Sequence, residues 1–578
     1  MNEVLDTDVL VVGAGPIGLA AAALLADHGV RVVLVEKQAG TSDAPRAISA
    51  TDETLRVMAE LGVLEQLVPD MLMDTGARYF GRKGQLLAEV RPGRPRQGQP
   101  GKSQFDQPVM EAVLLEAVRR RPLVEVLFET EATETHGTGG GVETSLLTRT
   151  GRRTVRSRWV LACDGGRSPM RTRLGIPLEG STQAQQWIVV DIADSAVRAE
   201  KFAEFHCNGR RPVVQVPGAK GRRRYEFMLL PGERAESVTE PGFIAELVAP
   251  FESIRPEQIR RAAVYVAHQR IAGSYRRGRI ILAGDAAHLM PPFAGQALNA
   301  GIRDAANVAW KLAANVLADA PEQLLDTYET ERRPHTAEMV RLSHLIGRVV
   351  MATHPAVTAV RDRSIKASNL VPPLKRWITE MRFLKQPRYQ DGCIVRPARS
   401  RNDPEAALLG TALPQPMVRC VDGTSLPLDK VLGRGWALLR FSGSSTIQVL
   451  PVNGPGGSDR QATVVVDGSG AFRDLSAGTS VIVRPDRYVA AVCRRGAEAD
   501  ALARLSAWVP GLQLQDASSP GDAGFGIPHR AGSETRAGSE TRAGAGTREG
   551  SKARPGSETR PGAVGHAAPR LHSAAGTD

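Results

Sequence analysis

Glycines at 13, 15 and 18 follow the apolar run Val9-Leu10-Val11-Val12 without a gap, and this spacing constrains the fold more than any other feature of the chain. A strand that runs into Gly-x-Gly-x-x-Gly and then into a helix of small residues over 19–26 is a dinucleotide fingerprint. Gly13 permits the tight turn, Gly15 lets backbone approach a pyrophosphate, and Gly18 lets helix and strand pack closely, with the helix N-terminus facing the anion. A second apolar strand over 30–35 ends at Glu36, about 20 residues on, where an acid can accept hydrogen bonds from a ribose hydroxyl. The run from Val9 to Ala26 is neither an export signal nor a membrane span. Acids rather than bases precede it (Glu3, Asp6, Asp8), and it is shorter than the roughly 20 residues a bilayer needs.

The 578 residues leave room for three or four domains, and a hydrophobic content of 42% suffices for buried cores. The cysteines at 163, 207, 393, 420 and 493 form no C-x-x-C and no His/Cys cluster, so neither a disulfide framework nor a bound metal is indicated, and a cytoplasmic location is expected. The formal charge of +12 is spread along the chain without an aromatic-interleaved basic motif, which argues against nucleic acid and fits anionic small molecules.

Periodicity predicts helices over 52–67 and 109–120, a strand over 124–128, an exposed loop over 82–102, and a buried strand over 159–163 that leads into Cys163-Asp164-Gly165-Gly166-Arg167-Ser168. Residues 176–270 alternate apolar and polar as in an antiparallel sheet. A buried strand over 279–283 then runs into Gly284-Asp285-Ala286-Ala287-His288, followed by a long helix over 299–317 and further helices to about 382. Candidate strands return at 436–441, 462–466 and 480–483. Beyond 516 the composition collapses to small and charged residues, with arginine at every sixth position from 530 to 560. With almost no apolar side chains to offset ordering entropy, this tail is expected to be disordered.

The three motifs, in this order, resemble the single-component FAD-dependent aromatic hydroxylases. The stretches 186–193, 223–233 and 374–383 are similar to one subgroup, the 3-(3-hydroxyphenyl)propionate hydroxylases. The resemblance covers about residues 6 to 500. It implies an α/β fold in which a Rossmann-like FAD-binding domain (1–175 and 271–345) is interleaved with an antiparallel-sheet substrate domain (176–270). A helical connection (346–392), a thioredoxin-like domain (393–515) and the tail (516–578) would follow. Without a C-x-x-C, the thioredoxin-like domain is expected to be structural or to form a homodimer.

Carried over position by position, the resemblance implies that Gly13, Ala14, Gly15, Pro16, Ile17, Gly18, Glu36 and Lys37 hold the ADP half of FAD. Arg46 would lie near the diphosphate and Gln107 near the ribityl chain. Asp164 and Gly165 match a motif tied to both FAD and NAD(P)H, and Gly284 and Asp285 one that binds the ribityl hydroxyls. Pro291, Pro292, Gly295, Gln296 and Asn299 would line the isoalloxazine. The chain departs from the pattern at Ala297, where glycine is usual; a position needing positive φ there would strain the backbone.

The implied reaction uses NADH or NADPH and O₂ to add one oxygen, through a flavin C4a-hydroperoxide, to a phenolic acid such as 3-(3-hydroxyphenyl)propionate or 3-hydroxycinnamate. No membrane insertion and no nucleic acid are involved. A phenol of pKa about 10 is only about 0.1% ionised at pH 7, and lowering its pKa to about 7 takes roughly 4 kcal/mol, so a base relay or positive field is expected. The candidates on the middle sheet are His206, Arg211, Tyr225, Tyr265 and His268, with Pro292 beside the ring. Arg211 is the first choice for gripping a substrate carboxylate bidentately. His288 could reach the flavin or pack its own turn. A hydroxylase of polycyclic aromatics, a flavin oxidase, a flavin-free dehydrogenase and a non-enzymatic flavoprotein remain open.

Overall fold

The structure, a computed structural model, describes residues 4–93, 95–198, 200–396, 405–443, 445–454 and 461–514; the Arg-periodic tail lies outside them. The first sheet has a parallel centre in the order Ile280–Leu282, Gly151–Ala162, Val4–Val12, Val32–Val35, Val124–Leu127. Its strands read as unbroken Val/Leu runs because helices cover both faces. The first helix, Pro16–Asp27, starts three residues earlier than its small-residue pattern suggests, with proline in its first turn where a missing N–H costs nothing. It packs against the 22-residue helix Ala297–Ala318. A Cβ on Gly18 would stand 1.9 Å from the Gly13 carbonyl oxygen, so this contact admits only glycine. The helix expected over 52–67 is two, Asp52–Glu60 and Leu64–Leu67, because Gly62 takes a φ of 74° and ends the first.

The second sheet is assembled from three separated stretches of chain. Its order is His288–Leu289, Ile259–Ala272, Leu178–Ile192, Arg223–Met228, Val213–Pro217, Phe202–His206, Gly76–Phe80, Leu86–Val90. The sheet expected within 176–270 therefore borrows strands from both sides of that range. The exposed loop expected over 82–102 is corrected: it contains the strand Leu86–Val90 and begins the strand Lys102–Gln104, and Gln97 is buried. The pairing that recruits this hairpin is parallel, Gly76–Phe80 against Phe202–His206, and no local pattern announces it.

Helices Gln323–Met351, Pro355–Ser368 and Pro372–Thr379 follow, as the sequence suggests. The third sheet runs Ser425–Pro427, Met417–Cys420, Thr463–Asp467, Thr446–Asn453, Ala437–Phe441, Thr479–Val483, Val489–Arg494. A thioredoxin-like βαβ unit needs parallel neighbours. All pairs of this sheet among the described residues are antiparallel, so the expected strand direction is not met. The sheet is fastened to the long helices by an apolar cluster that includes Trp310, Leu324, Trp436 and Leu438. Buried ions reinforce the seam: Glu331 receives Arg484 and Lys311, each at 2.8 Å, and the Cys393 N–H at 2.9 Å. These cations hold the Glu331 carboxyl at about 2, far below its usual value, although burial opposes them. All five cysteines are free thiols.

Candidate active site

A cleft of about 1600 Å³ opens where the parallel strands end, and it continues against one face of the second sheet. It exceeds the roughly 300–1000 Å³ of a single small-ligand pocket, so it has room for a dinucleotide and a second, smaller molecule. Gly13, Ala14, Gly15, Pro16 and Ile17 form its floor, and Glu36 and Lys37 stand at the end of strand Val32–Val35. Glu36 accepts hydrogen bonds from the Ala14 and Gln38 N–H groups at 2.9 and 3.0 Å, which fixes its carboxylate beside the glycine turn. A Cβ at Gly15 or Gly165 would meet nothing within 4 Å, so bare backbone faces the cleft at both.

Arg46, Gln107, Asp164, Asp285, Pro292, Gly295 and Gln296 also line the cleft. Gln107 is already engaged. It accepts from the Ala47 N–H at 2.6 Å and donates to Glu111 at 2.7 Å, while Glu111 accepts from the Ser42 N–H at 2.9 Å. The pair thus shapes the loop that carries Arg46. Asp164 Oδ1 is buried with no hydrogen-bond partner among the described residues. Asp285 faces the cleft with its side chain open to that space and has no hydrogen-bond partner among the described residues. Burial raises both carboxyls above the usual range. Unsatisfied acceptors in a cleft this size suit a ligand rich in hydroxyl groups, and the open backbone at Gly15 suits a pyrophosphate, so the residues present fit FAD.

Four expected cofactor residues do not line the cleft. Gly18 packs on Gly13. Gly284 turns against Ile17. Asn299 is buried as a clamp, with its amide donating to the Ser49 and Gly295 carbonyls at 3.0 and 2.6 Å and its oxygen accepting from Thr51 and Thr54. It holds the Gly295 loop against strand Ser49–Thr51. Pro291 is likewise outside the lining. Ala297 opens its helix without a positive φ, so the departure from glycine carries no backbone strain.

The catalytic candidates need more correction. Arg211 is gripped bidentately by Glu233 and lies outside the cleft lining, so it does not meet a ligand there. His206 is held by Glu204 and Gln215 at 3.0 Å each and stacks on Phe80. Tyr225 points to the opposite side of the sheet, donates to Glu252 at 2.8 Å and joins the core with Phe227 and Ile244. His288 is buried on Asp304 at 2.7 Å, which Arg332 also holds at 2.9 Å; it packs the turn behind Gly284. His268 does line the cleft and bonds Thr182 at 2.9 Å.

Sequence reasoning missed the side chains that face the cleft from the second sheet. Ala203, Phe205, Val214 and Val216, with Phe293, make an apolar wall. Arg224 and Glu226 stand on the same face, because strand Arg223–Met228 alternates and sends Tyr225 and Phe227 the other way. Arg224 is tied to Asp191 at 2.7 Å and to the Pro45 and Arg46 carbonyls, so it pins the cofactor loop to the sheet. Lys102 also lines the cleft, and burial alone lowers its ammonium to about 8. The alternation of strand 224–230 was a visible signal for Glu226, but it did not say which face was wet.

A parallel sheet with a glycine-floored cleft at its strand ends, coupled to a second sheet with an apolar wall, fits a dinucleotide-cofactor protein with room for a second, apolar ligand. Residues 6–343 match the FAD binding domain family, and 410–507 match the HcaD C-terminal domain. A 3-(3-hydroxy-phenyl)propionate/3-hydroxycinnamic acid hydroxylase of Mycolicibacterium gilvum is 39% identical over 520 residues, covering 85% of this chain and 90% of the relative. The enzyme of the same name from Paraburkholderia xenovorans is 33% identical and covers 92% and 95%. The chain belongs to the FAD-dependent aromatic monooxygenases, and it uses FAD with NAD(P)H. Aklavinone-11 hydroxylase, solved with FAD and aklavinone, superposes with a TM-score of 0.67 at 27% identity, covering 87% of this chain and 99% of that one. The flavin-dependent monooxygenase PieE shares the fold at a TM-score of 0.71, with 23% identity and coverage of 87% and 99%. Among the described residues, no helix is long and apolar enough to cross a membrane and no group of side chains could hold a metal.

Proposed function

We propose that this chain hydroxylates a small phenolic acid, 3-(3-hydroxyphenyl)propionate or 3-hydroxycinnamate, to the catechol. The names of the relatives support the substrate class, and the apolar wall of Phe205, Val214, Val216 and Phe293 beside the cofactor cleft supports an aromatic ring as the second occupant. Gly13 to Ile17 and Glu36 would hold the ADP half of FAD, Arg46 the diphosphate, Asp164 and Asp285 the hydroxyl-bearing chain, and Pro292, Gly295 and Gln296 the ring system. Bound FAD, reduced by NAD(P)H, supplies the activated oxygen that no side chain can provide.

The protein's own contribution is to position the phenol and keep water from the reacting atoms, for which an apolar wall is suited. The acid tail needs a cation, and Arg211 is paired with Glu233 outside the cleft lining. Lys102 has no hydrogen-bond or ion-pair partner among the described residues, and it is the group we assign to that tail. The antiparallel C-terminal sheet is structural in this reading, since burial pushes the Cys393 thiol up to about 12 and Cys493 to about 11, away from thiolate chemistry.

The test is the visible spectrum of the purified protein, then NADH or NADPH oxidation with and without 3-(3-hydroxyphenyl)propionate, with the product identified by mass. A flavin spectrum, oxidation accelerated by the phenol and a product one oxygen heavier are expected. A flavoprotein indifferent to this compound and to 3-hydroxycinnamate would overturn the substrate assignment and direct the search to bulkier aromatics, as on the aklavinone enzyme.

A further inference from the structure

We propose that Glu226 is the base that takes the phenol proton, held in place for this by Tyr265. The inference rests on the reading of the cleft as a phenol hydroxylase site and names the group which that reading leaves open.

Glu226 faces the cleft from the middle of the second sheet, on the side where Ala203, Phe205, Val214, Val216 and Phe293 make the surroundings apolar. One of its oxygens, Oε2, accepts the Tyr265 hydroxyl at 3.2 Å. The other, Oε1, lies 4.0 Å from Arg224 Nη1, beyond hydrogen-bond reach, and accepts nothing from the described residues. Arg224 directs four of its five N–H groups to Asp191 and the Pro45 and Arg46 carbonyls, which hold its guanidinium at that distance from Oε1. A carboxylate has about four acceptor sites, and one buried only for structure is normally saturated, as Glu331 is. Glu226 has a single bond and an open oxygen aimed at the space where a second ligand fits.

A phenol whose hydroxyl lies against Oε1 supplies the missing donor. Its O–H bond breaks, the proton forms the Oε1–H bond, and the electron pair stays on the phenol oxygen. That pair raises electron density at the neighbouring ring carbon, which gains one oxygen of O₂ as a hydroxyl; the O–O bond breaks, NAD(P)H supplies the two electrons, and the second oxygen leaves as water with a solvent proton and the proton that the ring carbon gives up. As the ring regains aromaticity, the carbon-bound hydrogen leaves as a proton and Glu226 returns its own to the phenol oxygen, so the carboxylate is regenerated. Burial holds the Glu226 carboxyl above the usual range, which brings it toward the phenol it must deprotonate. The groups that act on it are Arg224 on its own strand, Asp191 across the sheet on one neighbour, and Arg261 and Tyr265 on the strand beyond. Asp191 raises its pKa further; the two arginines and the tyrosine hydrogen bond lower it.

The experiment compares the parent holoenzyme with Glu226→Gln, Glu226→Asp and Tyr265→Phe, each checked for flavin content. It reads the hydroxylation rate against pH and the ultraviolet difference spectrum of bound 3-(3-hydroxyphenyl)propionate. Expected for Glu226→Gln are retained flavin, a phenol that binds un-ionised, and a kcat lower by about 100- to 10,000-fold. Its rate should then climb with pH only as the phenol ionises by itself. Glu226→Asp should recover part of the rate. Tyr265→Phe should move the acid limb of the profile to higher pH, since the lost hydrogen bond favoured the charged carboxylate. A Glu226→Gln enzyme with parental rate, pH profile and phenolate spectrum would overturn the proposal; should that variant lose its flavin, Glu226→Asp with an unshifted acid limb would do so. If the parent itself leaves this phenol untouched, the substrate assignment fails by that control alone. The same comparison with whichever phenol the parent does hydroxylate then decides the role of Glu226.

Discussion

The cleft and the C-terminal seam both bury ionisable side chains, and they treat them in opposite ways. At the seam Glu331 takes Arg484 and Lys311 and Arg56 takes Asp429 at 2.6 Å, and behind the Gly284 turn Asp304 takes Arg332 and His288. In the cleft the groups are left short: Asp164 Oδ1 and the Asp285 carboxylate have no partner among the described residues, Glu226 has one hydrogen bond, and Lys102 has none. The first pattern drives Glu331 far from neutrality; the second moves the carboxyls of Asp164, Asp285 and Glu226 and the Lys102 ammonium toward it. Burial alone is therefore no sign of function in this protein. The deficit of partners is what separates a site from a fastening.

The sharpest way to break the comparison is Glu331→Ala. It strands the buried Lys311 and leaves Arg484 with Asp486 as its remaining carboxylate, and it should cost about 3–5 kcal/mol of stability, read by denaturant unfolding, while any folded fraction keeps its flavin spectrum. Titration gives a related check. The folded Glu331 carboxyl, at about 2, is depressed below its usual 4.5, so its contribution is fully present above pH 4.5 and is lost as the pH falls from there toward 2. The melting temperature should fall through that window, and the Glu331→Gln variant should show a shallower fall. In the cleft, Asp285→Asn should leave stability nearly unchanged but weaken FAD by about 1.5–3 kcal/mol, measured by fluorescence titration of the apoprotein. Gly18→Ala inserts a methyl group against the Gly13 carbonyl and should cost about 1–3 kcal/mol with loosened flavin. Arg211→Met is the smallest effect: below about 1 kcal/mol in stability, with KM for the phenolic acid unchanged. A large KM increase would return Arg211 to the substrate.

The cofactor side of this division was legible in the sequence because it is written in backbone requirements. Gly13, Gly15, Glu36, Asp164 and Asp285 each sit at a strand end, where spacing alone reports position. The second sheet was legible as strands but not as a site. Alternation told that Tyr225 and Glu226 face opposite ways, yet it could not say which face met the cleft, since Phe293, which completes the wall, and the hairpin over 76–90, which extends the sheet, come from distant sequence. Arg211 misled for a related reason: its neutraliser, Glu233, sits 22 residues on, across a turn no periodicity encodes. The seam was invisible, because Glu331, Arg484 and Lys311 look in sequence like ordinary solvent-facing charges.

The parallel pairing of Gly76–Phe80 with Phe202–His206 carries a consequence in time. A contact across more than a hundred residues forms slowly, since loop closure must precede any reward. The cleft draws its lining from Val12 through Leu298, so no shorter nascent chain can complete it. At about 5–20 residues per second, the ribosome spends roughly 4–16 s between Pro217, which ends the last wall strand, and Leu298, with that apolar face made but not yet roofed. During that interval this protein is most exposed to aggregation, and free cofactor cannot rescue it, because the place that would receive the cofactor does not yet exist.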